Sequence, residues 1–107
     1  MAADQVFAAL SDSTRRDVLE LIGSRGEASA TQLARELPVS RQAVNKHLAS
    51  LTAAGLVADR RAGRAVLYHL TPAPMTEAMN WMTRVGGEWD ARLGALQAHL
   101  AERAPGV

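Results

Sequence analysis

The sequence contains no cysteine, which excludes disulfide bonds, thiolate metal sites and a cysteine nucleophile together. The absence of cysteine is also consistent with a protein that resides in a reducing compartment. No apolar run approaches the roughly 20 residues needed to cross a bilayer, and the first residues show no basic region followed by an apolar stretch, as a secretory signal would. We therefore expect a cytoplasmic protein with no membrane partner.

The chain is also short of the residue patterns that enzymes use. Its 107 residues suffice for one domain with a single core, which relies on tight helix packing or on a partner subunit. Ser40 and His47 lie seven positions apart on one predicted helix, roughly 10 Å by helical rise, which is too far for a nucleophile and its base. There is no phosphate loop and no Gly-x-Gly-x-x-Gly run. We expect no catalytic activity and no cofactor.

Apolar spacing predicts helices over most of the first 55 residues. A short helix covers 4–10, and a second runs from the cap-rich residues 11–14 through Ile22, ended by Gly23 and Gly26. A third helix is capped by Ser29 and closed by Pro38. Two alternating strands, 56–61 and 65–70, follow with a tight turn at Ala62-Gly63. The prediction is a mainly helical fold with a small β-hairpin.

The helix that follows Ser40 is the best specified of these elements. Ser40 is a favourable N-cap, and Val39 and Val44 occupy the positions of a hydrophobic staple. Val44, Leu48 and Leu51 form one apolar stripe, and Gly55 stops the helix. The polar and basic side chains fall on another face: Arg41, Gln42, Asn45 and Lys46. The pattern predicts a helix that buries one side and presents the other to a partner.

The last third of the chain predicts a helix with an apolar seam. Residues 71–74, Thr-Pro-Ala-Pro, are interpreted as a linker, and the helical pattern runs from Met75 to about Arg103. Two series repeat every seven residues: Met75, Met82, Trp89 and Leu96, and Met79, Gly86, Leu93 and Leu100. Such a seam suits packing against another helix, so we interpret the Trp and Met stripe, Trp81 included, as an interface rather than a ligand pocket. Gly86-Gly87 can kink the helix, split it, or admit a neighbouring backbone.

Positive charge concentrates beside the predicted hairpin. Between residues 40 and 69 the chain carries Arg41, Lys46, Arg60, Arg61 and Arg64 against Asp59 alone, which points to a polyanion. Helix, turn, helix and an arginine-bearing hairpin make the plan of a winged helix-turn-helix, whose second helix enters the DNA major groove. The candidate DNA-binding residues are Ser40, Arg41, Gln42, Asn45, Lys46, His47, Arg60, Arg61 and Arg64.

Alternative roles stay open for some of these residues and for two arginines outside the set. His47 lies at the edge of the apolar stripe, where it can contact phosphate or hydrogen-bond the preceding turn. One wing arginine can pair with Asp59 instead of DNA. Arg15 and Arg16 begin a helix, where positive charge opposes the helix dipole. This penalty indicates a partner, either an acidic side chain or a phosphate, and we expect an internal salt bridge for one of the two.

Motifs in order and at matching spacing resemble the ArsR family of bacterial repressors. The resemblance spans about residues 5 to 70. Its elements are the run 7–16 (FAALSDSTRR), Leu33-Ala34, the run 37–40 (LPVS), the run 44–48 (VNKHL), Leu51 and the run 54–57 (AGLV). The end of the chain is similar to a branch with a Trp/Leu/His-Leu pattern in its last helix. In place of the usual proline after Asp12 the sequence has Ser13, which leaves Asp12 free to cap.

The resemblance implies a homodimer whose first and last helices pack across the two-fold axis. Residues 1–73 would form the DNA-binding part and 74–107 the dimerisation helix or helices of the same domain. Each protomer would place one recognition helix in successive major grooves, and the family implies autorepression with release of DNA on an inducing signal. The dimer interface is then predicted to contain Val6, Phe7, Leu10, Met82, Trp89, Leu93, Leu96 and Leu100.

The metal-binding routes of the family find no support in this sequence. Residues 31–37 (TQLAREL) have no cysteine pair, and Asp90 and His99 on the last helix are nine positions apart, about 13–14 Å by rise. We therefore expect no metal site and place the chain in a branch without one. Two alternatives stay open: a winged-helix protein-interaction module without DNA binding, and a small-molecule or metal sensor with an inducer site near the last helix.

Overall fold

The computed structural model describes residues 2–103, and the rest of the predicted segment 74–107 lies outside the described residues. Five helices and three strands follow one another in the order α1 (Ala2–Ala9), α2 (Ser13–Arg25), β1 (Glu27–Ala28), α3 (Ala30–Glu36), α4 (Arg41–Ala53), β2 (Val57–Ala62), β3 (Ala65–Leu70) and α5 (Ala73–Arg103). The strands form one antiparallel sheet in the order β1-β3-β2. The predicted class, mainly helical with a small hairpin in a winged helix-turn-helix, is confirmed.

The core lies between α2, α3 and α4, where the apolar spacing placed it. The fully buried side chains include Val18 and Ile22 of α2, Leu33 of α3, and Val44, Leu48 and Leu51 of α4. Because one stripe of each helix is buried, the opposite faces of α3 and α4 are turned outward.

Side chains that cap helices set the entry points of α2, α3 and α4. Asp12 accepts a hydrogen bond from the Arg15 amide at 2.9 Å, and Ser40 accepts one from the Ala43 amide at 3.1 Å. Ser29 and Gln32 form a reciprocal capping box. The prediction that Gly23 ends α2 was wrong: the helix runs on to Arg25 and ends at Gly26, whose φ of +84° suits only glycine well.

The wing is a hairpin with a third, short strand beside it. β2 and β3 pair from Val57 with Leu70 to Ala62 with Ala65, so the turn falls at Gly63-Arg64, one residue later than predicted. The two-residue β1 was not predicted, because two residues carry no alternation to recognise. It pairs with β3 through Glu27 with His69 and Ala28 with Tyr68.

α5 is one continuous helix of 31 residues, about 46 Å long. It begins at Ala73, so the predicted linker shrinks to Thr71 and Pro72, because proline is tolerated in the first turn of a helix, as Pro74 is here. Gly86-Gly87 neither splits nor ends it. None of the helices within residues 2–103 has the length and apolar character that crossing a membrane requires.

Most of α5 extends away from the rest of the protomer. Every residue from Met79 to Ala101 is exposed, and the described chain is 74 Å long with a radius of gyration of 20.4 Å. A compact chain of this length has a radius of gyration of about 13 Å. The exposed face carries the predicted seam, including Met82, Trp89, Leu93, Leu96 and Leu100.

α1 packs on the first turns of α5 within the same protomer. The Phe7 and Trp81 rings meet edge to face at 5.7 Å between centroids, and Ala3 and Ala78 are buried. Val6 is only 1% exposed and belongs to the protomer's own core. This burial leaves almost no surface of Val6 for a second subunit to cover, and its place in a dimer interface stays a prediction. Leu10 is half-buried and packs against that same core.

Candidate nucleic-acid interface

The outward face of α4 presents the four predicted base-contacting side chains together. Arg41, Gln42, Asn45 and Lys46 are all exposed, while the apolar stripe of the same helix is buried. Ser40, also exposed, caps the helix and keeps its first turn fixed. A helix terminus with free backbone N–H groups attracts phosphate, so this end of α4 offers both charge and hydrogen-bond donors.

His47 lies half-buried behind that face and has a partner in α2. Its Nδ1 accepts a hydrogen bond from Nε of Arg15 at 3.4 Å, the long end of the normal range. A ring whose Nδ1 accepts carries its proton on Nε2 when neutral, which leaves Nε2–H as a donor. The bond to the preceding turn of its own helix, one of the two alternatives, is not formed.

Arg15 and Arg16 find neutral partners instead of the predicted acidic one. Arg15 donates to the imidazole of His47, and Arg16 donates from Nη1 to the Leu10 carbonyl at 2.6 Å. The expectation of a salt bridge was wrong within the described residues. The start of α2 brings an imidazole and a carbonyl into hydrogen-bond distance of these guanidiniums, and the Asp12 carboxylate is occupied as the helix cap.

Arg60 of the wing is engaged by an acidic side chain. Its Nε and Nη2 donate to the Glu27 carboxylate at 2.5 and 2.7 Å. β3 separates β1 from β2, a span of about 10 Å across two strand spacings, which a long arginine bridges. The hydrogen bond from Arg60 holds the pKa of Glu27 below its ordinary value and raises that of Arg60. The considered pairing of a wing arginine with Asp59 thus occurs with Glu27 instead.

Arg61 and Arg64 have no acidic partner among the described residues, and their contact with DNA stays a prediction. Both side chains are exposed, and Arg64 occupies the hairpin turn. Alternation along β2 places Arg61 on the sheet face opposite to Arg60. The wing therefore offers two arginines near its tip and holds the third across the sheet.

One groove connects the wing with the start of α4. It has a volume of about 320 Å³, and Arg41 and Asn45 of α4 line it opposite Arg64 of the hairpin turn and Tyr68 of β3. Thr31, at the start of α3, lines it as well. Thr31 and Tyr68 were not predicted from the sequence as site residues, because one lies in a helix of the core and the other in an alternating strand. Only the tertiary fold brings them next to the basic residues.

The N-cap of α2 predicts a specific pH dependence of stability. The hydrogen bond from the Arg15 amide lowers the pKa of Asp12 in the folded protein. The ionised Asp12 carboxylate therefore stabilises the fold fully at pH values well above its unfolded-state pKa of about 3.9. This stabilisation is lost as the pH falls through the lower pKa of the folded state. Urea midpoints of the wild type and of Asp12→Asn, measured from pH 7 to pH 3, should converge on acidification. Asp17→Asn, an exposed carboxylate of the same helix, is the control. A constant difference for Asp12→Asn would contradict the assignment.

Within residues 3–101, no three histidine or carboxylate side chains come together as a metal site would require. The expected absence of metal sensing stays a prediction.

Known proteins similar to this chain have related architecture and related sequence. Residues 10–60 match a family model described as a helix-turn-helix domain. The chain is 33% identical over 79 residues to the transcriptional repressor SdpR of Bacillus subtilis, covering 74% of this chain and 87% of that protein. A solved structure titled as an ArsR-like transcriptional regulator from Rhodococcus sp. RHA1 superposes with a TM-score of 0.81, at 44% identity and 91% coverage of both chains.

The chain belongs to the ArsR family of winged helix-turn-helix transcriptional regulators. Another relative of this ArsR-family regulator is the HTH-type transcriptional regulator Rv2034 of Mycobacterium tuberculosis, 46% identical over 69 residues. That match covers 64% of each protein, so the chain spans less than two thirds of this relative. The resemblance read from the motifs is thereby confirmed.

Proposed function

We propose that this ArsR-family regulator is a cytoplasmic homodimeric repressor that binds a palindromic operator, its own promoter included. The observation that carries the proposal is the exposed polar face at the start of α4, held outward by a buried apolar stripe and facing Arg64 of the wing across one groove. Two of the similar proteins are named as repressors, SdpR and the arsenical resistance operon repressor of Escherichia coli.

Base recognition is assigned to the first turns of α4. Arg41 and Lys46 suit guanine or phosphate, and Gln42 and Asn45 suit the bidentate edge of adenine. Ser40 supports these side chains as the cap. His47 is assigned a phosphate through Nε2–H, since its Nδ1 already accepts from Arg15.

The wing is assigned to the DNA backbone. Arg61 and Arg64 contact phosphate, where they add affinity without reading bases, or the minor groove, whose width depends on sequence. Arg60 contributes less than the sequence predicted, because Glu27 neutralises it in the free protein.

Removal of the Glu27 charge is expected to strengthen DNA binding. In Glu27→Gln, Arg60 loses its ionic partner and becomes free to reach a phosphate. One further phosphate contact steepens the log–log dependence of affinity on salt by about 0.9. Fluorescence anisotropy with operator DNA over a salt series measures this slope. Glu20→Gln removes an exposed acid of α2 without touching Arg60 and serves as the control; equal slopes for the two variants would refute the assignment.

Dimerisation is assigned to the exposed seam of α5 together with α1. The protomer leaves an apolar face of α5 uncovered, formed by Met82, Trp89, Leu93, Leu96 and Leu100. A contiguous exposed apolar face on a soluble protein marks an interaction site. Phe7 contributes at the edge, beside Trp81. In this arrangement residues 1–73 bind DNA and residues 74–107 hold the dimer, within one domain.

A mobility-shift assay on DNA upstream of the protein's own gene tests the proposal. We expect a complex that survives excess bulk DNA and that weakens steeply with salt, since each neutralised phosphate contributes about 0.9 to the slope. Equal affinity for upstream and bulk DNA would refute sequence-specific regulation. The same result would favour an interaction module that has lost DNA binding. Calorimetric titration with zinc, nickel and arsenite tests the absence of metal sensing, and tight stoichiometric binding would overturn it.

A further inference from the structure

An open cleft of about 320 Å³ lies between α1, α2 and α4, away from the groove between α4 and the wing. Four alanines supply most of its wall: Ala8, Ala9, Ala53 and Ala54. Ala9 and Ala54 are buried and form the floor, while Ala8 and Ala53 lie exposed at the rim. Methyl groups on both sides offer a small apolar body a place to pack.

One cation enters this apolar cleft. Arg15 lines it, half-buried, together with the polar side chains of Gln5 and Ser50. The Nε of Arg15 donates to His47, and in the described part of the chain neither Nη atom has a hydrogen-bond partner and no carboxylate lies within salt-bridge distance. The nearby Asp12 carboxylate is occupied as the cap of α2.

The chemistry of the cleft selects its ligand. A guanidinium with both Nη groups free binds a carboxylate through two parallel hydrogen bonds. The volume is at the small end of ligand pockets, and the alanine methyls favour an apolar body. Gln5 and Ser50 can donate to the same anion. We propose that this cleft binds a small organic monocarboxylate, with Arg15 as its anchor.

Arg15 also connects the cleft to the DNA-binding face, an effect that rests on the proposed function. A carboxylate bound by the two Nη groups draws the Arg15 guanidinium toward the cleft and stretches the already long Nε bond to Nδ1 of His47. The imidazole on α4 then loses the group that orients it. The bound anion also cancels one positive charge next to that face. Both changes weaken DNA binding, and by linkage DNA weakens binding of the anion by the same factor. The effector site is thus near α4, and not near the last helix.

Benzoate, hexanoate and the uncharged benzamide are the probes. Titrations of the full chain without DNA, followed by NMR at the alanine methyls and the Arg15 side chain, are expected to show saturable binding of the two carboxylates with the largest shifts at Ala8 and Ala53. Benzamide and the variant Arg15→Gln should each bind at least about tenfold more weakly, the usual loss for a charge-assisted hydrogen bond. Arg35→Gln, an exposed arginine of α3, should bind as the wild type does.

Equal binding by Arg15→Gln or by benzamide, shifts centred elsewhere, or no saturable binding by either carboxylate would overturn the site. Ala53→Leu fills the cleft without altering Arg15 and should lose benzoate while it keeps DNA affinity. Saturating benzoate should lower operator affinity severalfold in the wild type and not in Ala53→Leu; unchanged affinity in the wild type overturns the coupling. If no DNA binds at all, the proposed function fails, and the titrations still decide the site.

Discussion

Gln42→Ala and Arg41→Ala are each expected to relax base preference at one position of the operator, with a loss of roughly 1–3 kcal/mol on the preferred sequence. Both side chains are exposed on the first turn of α4, where truncation leaves the core intact. A bidentate contact to the wrong base contributes little, so binding to mismatched sequences should change much less. Anisotropy titrations against single-base operator variants measure the discrimination.

The matched controls separate recognition from general electrostatics. Arg64→Ala at the hairpin turn should weaken all sequences about equally and reduce the salt slope by about 0.9. Arg35→Ala, on the exposed end of α3, should leave discrimination unchanged. A Gln42→Ala protein with wild-type affinity and wild-type preference would show that this face of α4 does not enter the groove.

Leu96→Glu is expected to give a monomer that loses about 10²- to 10⁴-fold in operator affinity. Leu96 is 53% exposed in the protomer and lies in the apolar seam of α5. A charge there faces the partner's apolar surface and must lose its water without a compensating partner. The two recognition helices then bind as separate molecules and lose the gain from effective concentration. Sedimentation equilibrium and DNA titration report the two effects together.

Gln97→Glu introduces the same charge at the neighbouring, exposed position off the seam and should remain dimeric. Since the core between α2, α3 and α4 does not include Leu96, circular dichroism of Leu96→Glu should retain the helical signal. A Leu96→Glu protein that is still dimeric, or a monomer that binds the operator as tightly as the wild type, would contradict the assignment of the α5 seam.

Local signals in the sequence were sufficient to predict α4 and the hairpin. The cap at Ser40 and the stripe of Val44, Leu48 and Leu51 are spaced within one helix, so no tertiary information was needed to orient the outward face. The alternation of the wing strands similarly located the hairpin to within one residue.

Contacts between distant segments could not be predicted in the same way. The pairing of Arg60 with Glu27 depends on β1 lying across β3 from β2, and a strand of two residues leaves no periodic trace. The helical spacing of Val6 does not distinguish a residue of the protomer's core from a residue of a dimer interface. Only the packing of α1 within the protomer shows that it is buried.

The cleft beside Arg15 depends on tertiary packing for the same reason. Its alanines come from α1 and from the last turn of α4, and nothing in either segment identifies the other. The sequence did indicate that a cation at the start of α2 needs a partner. That partner is the imidazole of His47 on α4.

The proposed dimer places two recognition helices in successive major grooves on one side of the duplex. Insertion of about five base pairs, half a helical turn, between the operator half-sites tests it most directly. This insertion is expected to abolish dimer binding, and an insertion of about ten base pairs to restore much of it, with protected guanine N7 atoms on one face of the duplex. Equal affinity for all three spacings would show that the two helices do not bind one side of the duplex together.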